Sequence, residues 1–146
     1  MSETNVHLAF GLPQGSNRID LPDHDLFNDS AKLSDLYRDW VHEYNNVVPR
    51  TTMMHSHLLK QSDGGVNFKR NFVVFIVSSF FVTDSGVSCK PRALRLCYDV
   101  DKVATFNWCK YVLRRLRDAV RLWRLRPRSC FTGPIFVLMV SIIFSF

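Results

Sequence analysis

An amphipathic segment near the carboxyl end, Asn107–Arg128, constrains the fold of this chain more than any other part of the sequence. At about 100° per residue, its apolar side chains fall within an arc of about 120°, which is the pattern of a helix that packs one face against a core. The sequence therefore predicts a long helix here, with an apolar stripe that faces the core. This apolar stripe consists of Cys109, Val112, Leu113, Leu116, Ala119, Val120 and Trp123.

Five cations lie beside the apolar stripe on the same helix. Because residues seven apart nearly eclipse each other on a helix of about 3.6 residues per turn, these side chains project within about 80° of one another. Between Lys110 and Arg128 the sequence has eight Lys or Arg and one acid, a net charge of +7, whereas the whole chain carries +6. We call the five cations the basic strip: Lys110, Arg114, Arg117, Arg121 and Arg124.

The charge of the chain indicates an acidic partner. The pI of about 9.4 favours nucleic acid, another polyanion or an anionic membrane surface, and a merely solvated helix face is the alternative. The first ten residues contain acid and no sustained apolar run, unlike a secretory signal, so the predicted location is nuclear or cytoplasmic. The four cysteines, at positions 89, 97, 109 and 130, form no CxxC pair and are predicted to be buried, reduced thiols.

Further helices are predicted along the rest of the chain. Asn5–Phe10 reads as the last turn of a helix, ended by Gly11, and the start of the domain is expected to be missing. The long apolar run after Gly65 is compatible with a buried helix or a strand, and its length favours a helix. Candidate caps are Asp29 or Ser30 for the second helix and Asp101 or Thr105 for the basic helix, and the third helix is opened by Thr51 or Thr52. The other predicted helical segments are Ala31–Tyr44, Thr51–Gln61, Asn67–Thr83 and Arg92–Val100.

The carboxyl-terminal segment, from Phe131 to Phe146, carries no charge. A basic helix followed by an apolar run resembles a tail anchor with a positive cytoplasmic flank, so a tail-anchored membrane protein is the alternative to a soluble one. Gly133-Pro134 interrupts the run, and even with Ser129 and Cys130 it would rise only about 27 Å as a helix, less than a hydrocarbon core of about 30 Å. The competing interpretation is a core helix.

Motifs for catalysis, phosphate-loop binding or metal binding are absent from the sequence. His55 and His57 would point about 200° apart on a helix, which does not form a shared metal site. His24, between two aspartates, reads as a solvated loop histidine. Cys109 has cations nearby that could lower its pKa, yet its place on the apolar stripe favours an inert thiol. We therefore expect no enzymatic activity, cofactor, metal or small-molecule substrate.

Four short motifs occur in the order and spacing found in a large plant group. They are the segment from Val6 to Gly15, VHLAFGLPQG; Phe68–Phe72, FKRNF; Asp99-Val100 followed by Asn107–Leu113, NWCKYVL; and Phe131–Pro134, FTGP. The chain resembles the helical amino-terminal region of plant transposon-derived proteins, the plant-mobile-domain-like proteins and those with a ubiquitin-like-protease domain far downstream. The protease residues would lie beyond this chain, so the resemblance assigns no catalytic residue.

The resemblance implies a mainly α-helical module derived from a mobile element. The expected fold is a mainly α, single irregular domain of about five to six helices, incomplete at its termini. Residues 1–140 would form a partial mobile-element-derived region, and residues 141–146 an atypical hydrophobic tail. We predict that the chain is a non-enzymatic interaction module that binds nucleic acid or another polyanion, or a protein, through the basic strip.

Overall fold

The computed structural model describes residues 1–21, 30–61, 63–82, 87–126 and 131–143, and within these ranges it contains helices and isolated β-bridges but no strand. The predicted mainly α fold is confirmed. A π-helical turn, Val77–Phe81, follows the fourth α-helix, and 3-10 helices span Pro91–Cys97 and Val100–Thr105. The α-helices of the described residues are α1 (Glu3–Phe10), α2 (Ala31–His42), α3 (Thr51–Lys60), α4 (Val66–Ile76), α5 (Trp108–Leu125) and α6 (Ile135–Ile143).

Contacts divide the chain into two compact units. Unit 1 comprises Met1–Ile19, Phe80–Ser85 and Ala104–Phe146, and it contains α1, α5 and α6. Unit 2 comprises Asp20–Ser79 and Gly86–Val103, and it contains α2, α3, α4 and the 3-10 helix Pro91–Cys97.

Unit 2 encloses a polar contact within an apolar core. Its fourth helix packs against α3 and against the 3-10 helix Pro91–Cys97, which also contacts α2. At the centre, the indole Nε1 of Trp40 donates a hydrogen bond of 2.8 Å to Oδ1 of Asn71, and both residues are buried. Burying a polar group costs free energy unless it finds a partner, so this bond favours the observed contact between α2 and α4.

The apolar run that begins in unit 2 is helical, as its length predicted. It begins at Val66 and continues as the π-helical turn through Phe81. Ser78, which interrupts the run, donates to the carbonyl of Val74 at 2.6 Å and accepts from the backbone N–H of Lys90 at 2.8 Å. Its buried hydroxyl is therefore satisfied within the unit.

The starts of α2 and α3 are as predicted. Ser30 caps α2, since its side chain accepts from the backbone N–H of Leu33 at 3.2 Å, and Asp29 lies outside the described residues. α3 begins at Thr51, and its N-cap position is Arg50, without a side-chain hydrogen bond. Arg50 is also bridged to Ser88, so a backbone pairing sets the start of this helix.

Unit 1 begins with a short helix that has a cap at each end. Ser2 and Asn5 form a capping box at the start of α1, two residues before the predicted beginning, and Gly11 ends the helix at φ 64°, where glycine is favoured. The apolar face of α1 then packs on α5. The core that they share consists of Val6, Cys109 and Leu113, with Phe10 and Leu12 packed against it.

A backbone pairing ties the loop after α1 to the start of α5. Gly15 donates to the carbonyl of Phe106 at 3.2 Å, and the backbone N–H of Trp108 donates to the carbonyl of Pro13 at 3.0 Å. A Cβ added to Gly15 would lie 1.9 Å from the carbonyl oxygen of Thr105, which is too close for any side chain at this position. Glycine is required at this position because two backbone segments approach closely.

The last helix of unit 1, α6, packs against α5. Gly133, just before α6, lies so close to Ala119 that an added Cβ would be 2.4 Å from the alanine Cβ. Val137 is buried, and the ring of Phe136 contacts that of Phe10 with centroids 5.4 Å apart. The other side of α6 exposes Ile135, Phe136, Met139 and Ile142.

Candidate anion-binding surface

The basic helix, α5, starts from a side-chain cap that also contacts α1. Asn107 accepts a hydrogen bond from the backbone N–H of Lys110 at 2.8 Å, and its amide donates to the carboxylate of Glu3 at 2.9 Å. The prediction that Asp101 or Thr105 caps this helix was wrong, because both belong to the preceding 3-10 helix. The cap fixes the rotation of α5 about its axis, and hence the direction of the basic strip.

The apolar stripe is buried only over the first part of α5. Its members from Cys109 to Ala119 are buried, whereas Val120 is partly exposed and Trp123 is 45% exposed. The prediction that Trp123 packs in the core was therefore wrong. Periodicity defines the apolar face of a helix, but it does not reveal how far along the helix the packing partners reach.

Four members of the basic strip are exposed to solvent, namely Lys110, Arg117, Arg121 and Arg124. Arg114 is different, because it is partly buried and its guanidinium donates to the backbone carbonyl of Ile19. The same guanidinium lies 5.8 Å from the ring centroid of Tyr111, within the range of a cation–π contact. Arg114 therefore holds the segment before residue 20 against α5, in addition to contributing charge.

The four exposed cations of the strip make no ion pair within the described part of the chain. From Lys110 to Arg124 they extend over about 21 Å, at about 1.5 Å per residue. Counted over their sequence ranges, unit 1 has nine Lys or Arg and three acids, a net charge of +6, whereas unit 2 has ten of each, a net charge of zero. The excess charge of the chain belongs to unit 1.

A recess of about 420 Å³ runs along one side of the basic strip. It brings Arg18 to the strip, a residue 92 positions before Lys110 that sequence analysis did not single out. Two acids, Glu3 and Asp118, also line it. The cations that line the recess are Arg18, Lys110, Arg114, Arg117 and Arg121.

A second groove, of about 620 Å³, lies on the other side of the strip and is mostly apolar. Its cations are Arg117, Arg121 and Arg124, so the first two border both cavities. Every member of the predicted strip thus borders at least one cavity. The apolar residues of this groove are Met1, Leu113, Leu116, Val120 and Leu125.

The described cysteines are buried thiols, as predicted. Burial is the main cause that raises the pKa of Cys89 to about 11 and that of Cys97 to about 12. Burial, with the charge of Glu3, also raises the pKa of Cys109, whose thiol donates to the carbonyl of Leu12 at 3.2 Å. The arginines of α5 therefore do not activate Cys109, and Cys130 lies outside the described residues.

The histidine candidates do not converge on a site. His55 stacks on Phe75 with centroids 5.8 Å apart, whereas the ring of His57 lies 5.2 Å from that of Tyr44. His24 lies outside the described residues. No group of three or more metal-ligating side chains occurs in the ranges that the structure describes.

The membrane alternative assigned Phe131–Phe146 to the bilayer. Of this range the structure describes residues 131–143, in which α6 has nine residues, and Phe146 is not among them. Among the described residues, no helix combines the length and the apolar composition that crossing a membrane requires.

The motifs that carry the family resemblance lie at packing contacts. Cys109 contacts Leu12 and thereby joins the first motif to the third, Asn71 of the second motif is buried, and Gly133 of the fourth packs against Ala119. Comparison with curated proteins and with solved structures gives no match. A family model described as a domain of unknown function, DUF8566, matches residues 1–139, and the chain therefore belongs to this family.

Proposed function

We propose that the chain is a non-enzymatic interaction module that binds the phosphate backbone of nucleic acid through the basic strip of α5. The observation that carries the proposal is the row of four exposed cations that make no ion pair with any described residue, Lys110, Arg117, Arg121 and Arg124. Cations that are not neutralised by the protein itself are available to replace the counterions of a polyanion.

The spacing of the strip suits a line of phosphates. Successive members are three or four residues apart, which corresponds to about 4.5 to 6 Å along the helix axis. One strand of a duplex presents a phosphate about every 3.4 Å of axis, so a strip of about 21 Å faces several of them. Contacts of this kind fix position without reading bases, so we expect little sequence preference.

The origin and location of the chain stay predictions. A mobile-element origin rests on the four motifs, and the proposed binding fits a nuclear or cytoplasmic protein that meets nucleic acid. The absence of enzymatic activity is likewise a proposal, supported by the raised pKa values of the buried thiols and by the lack of convergence among the described histidines.

The proposal is tested by fluorescence anisotropy with labelled oligonucleotides, single-stranded and duplex, over a range of salt concentrations. For the duplex, four contacts predict a slope of roughly −3 to −4 in the logarithm of the binding constant against that of salt. The variant Arg117→Gln with Arg121→Gln should flatten this slope by about 2 and weaken binding roughly tenfold at low salt.

A matched control removes the same charge from unit 2. Lys32 and Lys60 are exposed and make no ion pair in the described part of the chain, so Lys32→Gln with Lys60→Gln changes the net charge equally. This control should bind with the slope of the unmodified protein. Equal losses of affinity in both variants would show that overall charge, and not the strip, determines binding. Binding that does not depend on salt concentration would contradict a phosphate site.

A further inference from the structure

The recess beside the basic strip presents charge differently from the strip itself. The strip is a row on a helix surface, whereas the recess adds a cation from another segment, Arg18, to those of α5. Arg114 and Ile19 also line the recess, and Arg114 donates to the carbonyl of Ile19, the residue after Arg18. Lys110 and Arg117 lie about one helical turn to either side of Arg114.

The chemistry of phosphate decides which ligand fits each surface. A phosphodiester in a nucleic-acid backbone carries one negative charge, whereas a phosphate monoester carries about −1.5 to −2 near pH 7 and has three acceptor oxygens. A row of separated cations matches a chain of diesters. Cations from two segments that line one recess match a single group of higher charge, and guanidinium groups bind it with paired hydrogen bonds.

From the lining of this recess, we infer that it binds a phosphate monoester, such as the terminal phosphate of a nucleic-acid strand whose backbone lies along the strip. The inference rests on the proposed function for the strand, but the monoester site is defined by its own residue, Arg18. Tyr111, Asn107 and two acids, Glu3 and Asp118, also line the recess.

The test compares short single strands that differ only at the 5′ end: a phosphate, a methyl phosphate and a hydroxyl. The methyl phosphate has the shape of the monoester but a single charge. We expect the 5′-phosphate strand to bind about tenfold more tightly than the hydroxyl strand, with the methyl phosphate close to the hydroxyl. Competition by a free nucleoside monophosphate and by inorganic phosphate separates a strand end from a free monoester as the source.

Three variants locate the effect. Arg18→Gln and Lys110→Gln alter the recess, and both should abolish the preference for the 5′-phosphate strand. Arg124→Gln lies on the strip but outside the recess, so it should weaken all three strands equally and keep the preference. Melting temperatures establish that each variant is folded. If Arg18→Gln loses stability, Lys110→Gln still tests the recess, because Lys110 is exposed and makes no ion pair in the described residues.

The outcomes distinguish the inference from the proposed function. Equal binding of the three strands, without competition by a monophosphate, would overturn the inference and leave backbone binding intact. Binding of the free monophosphate without any binding of strands would support the recess and contradict the nucleic-acid proposal. Binding of none of these ligands would contradict both.

Discussion

The two units of this chain hold their charges in opposite ways. Unit 2 has as many cations as acids, and some of them pair on its surface, as Arg38 does with Asp35 at 3.0 Å and Lys102 with Asp99 at 3.2 Å. Unit 1 has an excess of six cations, and the exposed members of its strip are unpaired within the described residues. Pairing stabilises slightly, whereas a row of like charges on one helix opposes folding. The strip of unit 1 is thus not explained by stability, and the proposed binding is the explanation that the next experiments test.

The units also differ in what holds their elements together. In unit 1 the critical contact is between two backbone segments at Gly15, and in unit 2 it is the buried side-chain bond between Trp40 and Asn71. Substitutions that remove these two contacts should therefore have the largest effects on the free energy of unfolding. Changes to the strip should have the smallest.

The largest expected effect is that of Gly15→Ala in unit 1. The new methyl group would overlap the carbonyl of Thr105, so the backbone pairing with the start of α5 must open. We expect the free energy of unfolding to fall by about 4 kcal/mol, measured by urea denaturation followed by circular dichroism.

The matched control for this substitution is Gly11→Ala in the same unit. Gly11 has a positive φ of 64°, but nothing lies within 4 Å of an added Cβ, so only backbone strain opposes the change. Its expected cost is about 1 kcal/mol. If both variants lower the free energy of unfolding by the same amount, the close backbone approach at Gly15 is not what holds the elements of unit 1 together.

In unit 2 the corresponding change is Trp40→Phe. It removes the indole donor, leaves Oδ1 of Asn71 buried without that partner, and opens a small cavity. We expect a loss of about 2 to 3 kcal/mol in the free energy of unfolding.

A double-mutant cycle with Asn71→Leu isolates the polar contribution. With both polar partners replaced, neither of the two positions leaves a polar atom buried without the other, so the double variant should be less destabilised than the sum of the single ones by about 1 kcal/mol or more. Strict additivity would show that the two side chains contribute independently, and the polar core of unit 2 would then be a packing feature only.

The sequence predicted the helices well, because apolar periodicity and local breakers determine them. It identified α2 and α5 from their stripes, and it favoured a helix for Asn67–Thr83 from the length of the apolar run, where α4 spans Val66–Ile76. It failed where the deciding contact is distant in sequence. Asn107 is the cap of α5, with Glu3 bonded to its amide, and Trp123 is exposed because the buried part of the stripe ends before it.

The candidate site was likewise predictable only where it depends on a local sequence pattern. The basic strip is a local pattern on one helix, and its direction could be read from spacing alone. The recess could not, because it depends on Arg18 reaching α5 through a loop whose path is set by the pairing of Asn17 with residues 105–107. The structural role of Arg114 was hidden likewise, since its partner is a backbone carbonyl that carries no sequence signal.

The smallest expected effect comes from removing one arginine charge in each unit. The two substitutions should change the free energy of unfolding in opposite directions, which tests the contrast between the units directly. Arg117 has cations three positions before it and four after it, and no acid at those spacings, so Arg117→Gln should relieve repulsion and raise the free energy of unfolding by about 0.3 kcal/mol. Arg38→Gln removes the ion pair with Asp35 and should lower it by about the same amount.

Differential scanning calorimetry at low salt resolves such changes as shifts of the melting temperature of about 1 °C in opposite directions. The shift of Arg117→Gln should vanish in about 1 M salt, where the screening length is about 3 Å, whereas that of Arg38→Gln should shrink only in part, because its ion pair spans 3.0 Å. A loss of stability in Arg117→Gln would show that the strip supports the fold of unit 1. A gain would mean that unit 1 keeps this arginine against its own stability, which is expected of a residue that serves binding.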